Sequence, residues 1–236
     1  MKVVGFIYAR MSSNRLPGKV LTPLYGTTLL KIIIKKTESA GIKPILLTSL
    51  DATDDKLASY CSENKIEFYR GSLQNVALRT YKAIEKYKVD YFYRINGDSP
   101  FIQTNLITNT LHLLKNDSSI DLYTNLIDRT FPYGVAIELI NAKTFVDYYP
   151  IFTDYNKEHI TSYFYKNIEK FKIVNIKNDT DFSKYNLTID TKNDLDRVKE
   201  LINFYKEDSI FNLPLTTLIN KINSYEEYLL HQTKRV

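Results

Sequence analysis

The first apolar run, Val3–Tyr8 (VVGFIY), is short and rich in β-branched and aromatic residues, the mark of a buried strand rather than a helix. Similar runs recur at Pro44–Thr48, Glu67–Tyr69 and Asp90–Ile95. The longer stretches between them read as helices over roughly Thr28–Ser39, Thr53–Asn64 and Leu73–Lys86. The middle helix opens on Asp51-Ala52-Thr53-Asp54-Asp55, good N-cap chemistry. This alternation predicts an α/β fold whose mainly parallel sheet has right-handed crossovers and helices on both faces. Ligands of such sheets collect beyond the carboxyl ends of the strands. The loop at 9–19 leaves the first strand there and Asn96–Pro100 leaves the fourth, so the two face one crevice.

The second half is less regular. Asn105–Lys115 reads as a helix, Ile120–Thr124 and Val135–Ile140 as strands. Glu158–Asn167 and Asp194–Tyr205 read as helices, with strands at Phe171–Ile176 and Tyr185–Ile189 between them. No Gly/Ser/Pro linker and no repeat divides the chain. Residues 1–205 therefore form one domain, and 206–236 a helical tail packed back on it or at a subunit interface.

Composition narrows this picture. The 236 residues are 44% hydrophobic and 25% charged, a globular balance. A net charge of +5 suits small anionic ligands and does not by itself call for nucleic acid. No run approaches the roughly 18 apolar residues of a membrane helix. Met1-Lys2 leads straight into a strand, without a signal peptide, so a soluble cytoplasmic protein is expected. The single cysteine, Cys61, excludes an intramolecular disulfide and a cysteine-rich zinc site.

The sharpest chemistry lies in the loop Ala9-Arg10-Met11-Ser12-Ser13-Asn14-Arg15-Leu16-Pro17-Gly18-Lys19. Arg10, Arg15 and Lys19 can reach one polyanion, Ser12 and Ser13 add hydroxyl donors, and exposed amides can form an anion nest. Pro17-Gly18 fixes a turn that points Lys19 inward. By composition alone, a solvated basic loop accounts for the same residues. No G-x-x-x-x-G-K-[ST] is present, which disfavours a kinase or ATPase of that type. H-E-x-x-H and G-x-S-x-G are also absent, and Cys61 has no Cys-His-Asp arrangement.

The loop R-M-x-S-x-R-L-P-G-K, placed after the first strand, resembles the start of cytidylyltransferases of the spore-coat polysaccharide (SpsF-like) type. These are relatives of the synthetases that make CMP-linked sugar acids such as CMP-Kdo. The resemblance continues in order through YRGSLQNVALRTYKAI (69–84), YRINGDSPFI (93–102), RTFPYGVAIE (129–138), EHIT (158–161) and LTIDTKNDLDRV (187–198). It implies a GT-A/Rossmann-like nucleotidyltransferase domain with a mainly parallel mixed sheet, CTP as co-substrate, and Mg²⁺ or Mn²⁺. On that basis Arg10, Arg15, Lys19 and Asp98 are the candidate catalytic residues. Ala9, Met11, Ser12, Ser13, Gly71, Ser72, Arg79, Asn96 and Gly97 join the three cations around the nucleotide.

Nucleotidyl transfer needs charge neutralisation, which Mg²⁺ on one or two carboxylates supplies. Asp98, in a Gly-Asp turn at a strand end, is one candidate ligand; the alternative is a carboxylate that only shapes the turn before Pro100. Asp190 ends YNLTID before a helix, where it serves equally as an N-cap. The resemblance favours it as the second metal ligand and leaves Asp194 structural. Glu138 is a third strand-end acid that can touch substrate or metal-bound water. Arg129, Tyr133 and Gly134 make a substrate-side loop, and His159 with Thr161 either contacts the anionic acceptor or packs structurally. Two positions depart from the pattern: Asn75 stands where relatives usually have Asp, and Ser12 where Gly is more usual. Neither removes a phosphate-binding cation or a metal ligand.

The sequence thus reads as a cytidylyltransferase passing CMP to a sugar acid or other anionic acceptor for surface polysaccharide, possible as a homodimer. A GT-A glycosyltransferase is the competing enzyme, but GDSP gives one Asp where a D-x-D motif needs two. A non-catalytic nucleotide- or RNA-binding module would keep the cations without the two strand-end acids.

Overall fold

The computed structural model describes residues 1–206 and 208–233. In chain order the elements are β1 (Val3–Tyr8), β2 (Pro23–Leu24), β3 (Thr27–Thr28), α1 (Leu29–Ser39), β4 (Lys43–Ser49), α2 (Asp55–Glu63), β5 (Phe68–Gly71), α3 (Val76–Tyr87) and β6 (Tyr91–Asn96). The second half supplies α4 (Thr104–Asn116), β7 (Leu122–Thr124), β8 (Glu138–Asn141), α5 (Ala142–Tyr148), α6 (Asp154–Glu158), α7 (Ser162–Lys166), β9 (Ile173–Asn175), α8 (Lys192–Tyr205) and α9 (Leu215–Thr233). Of the tail expected at 206–236, residues 207 and 234–236 lie outside the described residues.

The main sheet runs β5-β4-β1-β6-β8-β7-β9. β5, β4, β1 and β6 are mutually parallel, β8 pairs antiparallel with both β6 and β7, and β9 is parallel to β7. This is the mainly parallel mixed sheet expected from the alternating pattern. Alternation along the strands divides the core. Ile7, Leu46, Tyr93 and Ile95 face a cluster completed by α1, α4, α8 and α9. Val4, Phe6, Leu47 and Phe92 face the opposite cluster, with Ala77 and Ala83 of α3, Phe145 of α5 and Phe164 of α7. Burial on both faces explains why these strands read as continuous apolar runs.

Two expected elements differ. Tyr185–Ile189 forms no strand: its only ladder contact is an isolated bridge between Asn186 and Tyr133. Its alternating Tyr185, Leu187 and Ile189 pack inward because the segment lies along the 133 turn. Tyr133 N donates to Tyr185 O at 3.0 Å and Leu187 N to Tyr133 O at 2.8 Å. The helix expected at 158–167 is broken into α6 and α7. A capping box at Thr153–Asn156 starts α6, and His159 leaves helical geometry at its end. The β2–β3 hairpin and α5 went unread in the sequence.

Of the tail, Leu218, Ile219, Ile222 and Tyr225 of α9 are buried in the first cluster. No helix among the described residues is long and apolar enough to cross a membrane.

Lys36 is an unusual part of this packing. It is 4% exposed on α1, and its Nζ donates to the Phe211 carbonyl. Burial pushes its ammonium down to about 8. The unfolded chain then holds a proton that the native chain lacks between about pH 8 and pH 10.4. Stability contributed at this site is lowest below pH 8 and rises with pH across that window, by up to about 3 kcal/mol. Urea unfolding of wild type and Lys36→Met isolates the effect. The wild type should gain on the variant as pH is raised from 7 to 10, whereas a constant difference would refute it.

Candidate active site

The carboxyl end of β1 runs directly into the basic loop. Ala9 N still pairs with Leu47 O at 3.3 Å, after which the chain turns away. Met11 N donates to Asp54 Oδ1 at 2.6 Å, and Met11 O accepts from Gly18 N at 2.9 Å, closing the loop on itself. Gly18 sits at φ 71°, a left-handed conformation that glycine adopts at little cost. A single 3₁₀ turn, Lys19–Leu21, follows, anchored by the buried Val20. Lys19 is thereby carried into the crevice with its side chain only 9% exposed.

β6 lies beside β1, and the turn after it crosses the end of β1 at close range. Gly97 N donates to Tyr8 O at 2.9 Å. A Cβ on Gly97 would stand 2.8 Å from both that oxygen and Ala9 Cβ, so the crossing requires glycine. Asp98 follows. Its carbonyl accepts from Ile189 N at 2.9 Å, which draws the segment before α8 into the same crevice.

Four charged side chains meet there. Lys19 Nζ donates to Asp98 Oδ2 at 2.9 Å and to Asp190 Oδ1 at 2.7 Å. Arg15 donates to the other Asp190 oxygen. Ser99 Oγ donates to Asp98 Oδ1 at 3.1 Å. The choice left open for Asp190 is settled locally: Thr191 caps α8, and Asp194 completes its capping box. Burial opposes the Asp194 charge, yet the Thr191 hydroxyl and the Thr191 and Asp190 amides hold its carboxyl below the usual range. Asp190 is therefore free of capping duty.

These groups line a polar pocket of about 320 Å³. From the loop come Ala9, Arg10, Ser12, Ser13, Arg15 and Lys19; from the sheet end Asn96, Gly97 and Asp98; and Asp190 closes it. Met11, expected among them, does not line the pocket; its amide and carbonyl hold the loop instead. A second pocket of about 170 Å³ shares Tyr8, Ala9 and Arg10 with the first and is lined by Arg79 and Arg94. Arg79 is 2% exposed and donates to Ser72 O at 3.1 Å, while its buried Nε has no hydrogen-bond partner among the described residues. Burial pulls its guanidinium down to about 10. Gly71 and Ser72 form the turn beneath it, and Arg10 reaches that turn by donating to Leu73 O at 3.3 Å. Asn75 caps α3 by accepting from Leu78 N at 2.7 Å, a duty Asp would perform equally well.

Other expected residues are placed elsewhere. Glu138 does not open onto the crevice. It is fully buried, its oxygens taken by Arg94 at 2.5 Å and the Tyr165 hydroxyl at 2.7 Å. The Arg129 guanidinium stacks on the Tyr133 ring at 3.7 Å, and Tyr133-Gly134 is tied to 185–187; none of the three lines either pocket. His159 is exposed, its ring tilted against Tyr155 with centroids 4.6 Å apart, while Thr161 is buried; their neighbours Glu158 and Ile160 line the second pocket instead.

A protein-family model described as cytidylyltransferase matches residues 4–228. The chain belongs to the cytidylyltransferase family. It is 31% identical to the spore coat polysaccharide biosynthesis protein SpsF of Bacillus subtilis over 93% of this chain and 94% of that one. Among solved structures it resembles a cytidylyltransferase from Leptospira borgpetersenii serovar Hardjo-bovis, with a TM-score of 0.88 and 32% identity over 96% of each chain. It also shares its fold with a CMP:2-keto-3-deoxy-manno-octonic acid synthetase solved with CTP, at a TM-score of 0.66 and 15% identity, covering 87% of this chain and 100% of that one. Family and fold are those expected from the ordered motifs.

Three residues that line this cytidylyltransferase's two pockets carry no signal of it in the sequence: Tyr8 and Arg94 read as strand residues, and Val20 as the residue after the loop. Asp54, which lines neither pocket but bonds the loop at Met11, reads as helix-capping chemistry.

Proposed function

We propose that the larger pocket binds CTP with a divalent cation and that the enzyme transfers CMP to an anionic, sugar-acid type of acceptor. The observation that carries this reading is the meeting of Lys19 and Arg15 with Asp98 and Asp190 in one polar pocket. Acids beside a phosphate site oppose the ligand unless a cation intervenes. The donor chemistry fits Mg²⁺: Asp98 and Asp190 are hard carboxylates whose oxygens converge on the one Lys19 ammonium. Mg²⁺ keeps several ligand positions for water and phosphate oxygens, which two protein carboxylates leave open. Asp98 and Asp190 are the residues that would hold it, and its contribution is neutralisation of phosphate charge.

The chain's own groups do the rest. Arg15 and Lys19 exchange their carboxylate partners for the β- and γ-phosphates, with Ser12, Ser13 and loop amides adding donors. Arg10, Gly71, Ser72 and Arg79 sit on the nucleoside side. The acceptor oxygen bonds to the α-phosphorus in line as the bond from that phosphorus to the β-bridging oxygen breaks. The products are the CMP-linked acceptor and pyrophosphate. Similarity to SpsF supports a place in surface polysaccharide synthesis, with CTP drawn from the cytoplasm.

The test is pyrophosphate release from CTP, ATP, GTP or UTP, each with Mg²⁺ and a panel of sugar acids and phosphorylated metabolites. CTP alone should give turnover with at least one acceptor, and chelation with EDTA should stop it. Equal turnover with all four nucleotides, or full activity in EDTA, would refute the reading.

A further inference from the structure

One buried carboxylate is not accounted for by phosphate chemistry. Asp54 is 0% exposed and makes no ion pair among the described residues. It stands at the N-cap position of α2, yet its side chain caps nothing there. Instead Oδ1 accepts the Met11 amide at 2.6 Å, while Oδ2 accepts the Ser49 amide at 3.1 Å and the Ser49 hydroxyl. Its partners therefore lie at the end of β4 and in the loop after β1. The buried Arg79 guanidinium interacts with Asp54 through space, but no cation among the described residues bonds to it, and burying a carboxylate is costly unless donors surround it. The donors here come from the two segments that the carboxylate joins.

Met11 is the hinge of the loop. Its amide is fixed by Asp54, and its carbonyl accepts Gly18 N at 2.9 Å, one residue before Lys19. We propose that Asp54 is a positioning residue for the triphosphate loop: it holds Met11 so that the loop closes on Gly18 and presents Arg15 and Lys19 to the phosphates. The proposal rests on the reading of the larger pocket as the CTP site. An apolar or mispositioned residue at 54 would free the Met11 amide and uncouple both ends of the loop, leaving the sheet intact.

Three full-length variants separate positioning from simple stability. Asp54→Ala removes both links, Asp54→Asn keeps an acceptor for Met11, and Ser49→Ala removes a donor to Asp54 while leaving the Met11 bond. Each is compared with wild type by calorimetric titration of CTP and of CMP with Mg²⁺, by urea unfolding, and by amide exchange at Met11, Gly18 and Ile7. Asp54→Ala should weaken CTP binding by about tenfold or more, the scale of a lost hydrogen bond to a charged group. CMP binding should fall much less, because the lost contacts are those to the outer phosphates. Met11 and Gly18 should exchange faster while Ile7 does not. Asp54→Asn should recover part of the CTP affinity, and Ser49→Ala should bind CTP like wild type even where it is less stable.

CTP affinity that follows unfolding stability across all three variants would overturn the proposal, as would wild-type CTP affinity in Asp54→Ala. Should Asp54→Ala not fold, Asp54→Asn and Ser49→Ala decide: weaker CTP binding with faster Met11 and Gly18 exchange in Asp54→Asn than in Ser49→Ala supports positioning, and equal CTP losses or equal exchange in the two refute it. A wild type that fails to bind CTP contradicts the reading of the pocket instead, and the Met11 and Gly18 exchange rates then still report whether Asp54 closes the loop.

Discussion

Asp98→Asn should lower pyrophosphate release from CTP by about 10²–10³-fold, equivalent to about 3–4 kcal/mol of transition-state stabilisation. The substitution keeps size and one acceptor oxygen but removes the charge that the proposed site needs for a divalent cation. It should leave the fold in place. The Asp98 backbone is held independently of its side chain, through its carbonyl to Ile189 N at 2.9 Å and through the neighbouring Gly97 amide to Tyr8 O at 2.9 Å. Rates at saturating CTP and Mg²⁺, with thermal unfolding of the same sample, check both halves of the prediction. A folded Asp98→Asn enzyme with full activity would remove Asp98 from the site.

Lys19→Met should weaken CTP binding by about 10–100-fold while changing CMP binding far less, because the ammonium is placed for the outer phosphates. It should also destabilise the free protein. Lys19 is the shared partner of Asp98 and Asp190, whose side chains are 25% and 24% exposed. Without it two carboxylates face each other across a partly enclosed pocket. Removing one partner of a fully buried pair costs about 3–5 kcal/mol, and solvent screening at this degree of exposure reduces that to about 1–2. Added Mg²⁺ should then raise the melting temperature of Lys19→Met more than that of wild type, since the cation no longer competes with the ammonium for the same carboxylates. Equal losses for CTP and CMP would argue against contact with the outer phosphates. Equal Mg²⁺ shifts in both proteins would argue against metal binding at these two acids.

The first half of the fold was legible because its signals are local. VVGFIY, the strand at 44–48 and the strand at 90–95 are buried on both faces and announce themselves as apolar runs, and Pro17-Gly18 marks the turn that delivers Lys19. The crevice followed from topology: the carboxyl ends of β1 and β6 are neighbours, which brings loop 9–19 against Gly97 and Asp98. The Thr191–Asp194 spacing that relieves Asp190 of capping is a sequence pattern as well, though local rules alone did not choose between Asp190 and Asp194.

What stayed hidden depends on contacts distant in sequence. Glu138 looked like a strand-end acid open to substrate, but antiparallel pairing of β8 with β6 brings it beside Arg94 in the interior. Tyr185–Ile189 has the period of a strand because every second residue packs inward, while its backbone partners belong to a turn rather than a ladder. His159 falls within one helical segment by sequence pattern; the Thr153–Asn156 capping box fixes α6 early enough that His159 lies in the break, its ring tilted against Tyr155 at the surface. Asp54 was masked by a sound local explanation, since Asp before a helix ordinarily caps it.

A crystal of the wild-type protein grown with CTP and Mn²⁺ tests the central claim most directly. Anomalous scattering should place the metal about 2.0–2.3 Å from carboxylate oxygens of Asp98 and Asp190, with the triphosphate against Arg15 and Lys19. A triphosphate bound away from loop 9–19, or a metal in contact with neither aspartate, would contradict it.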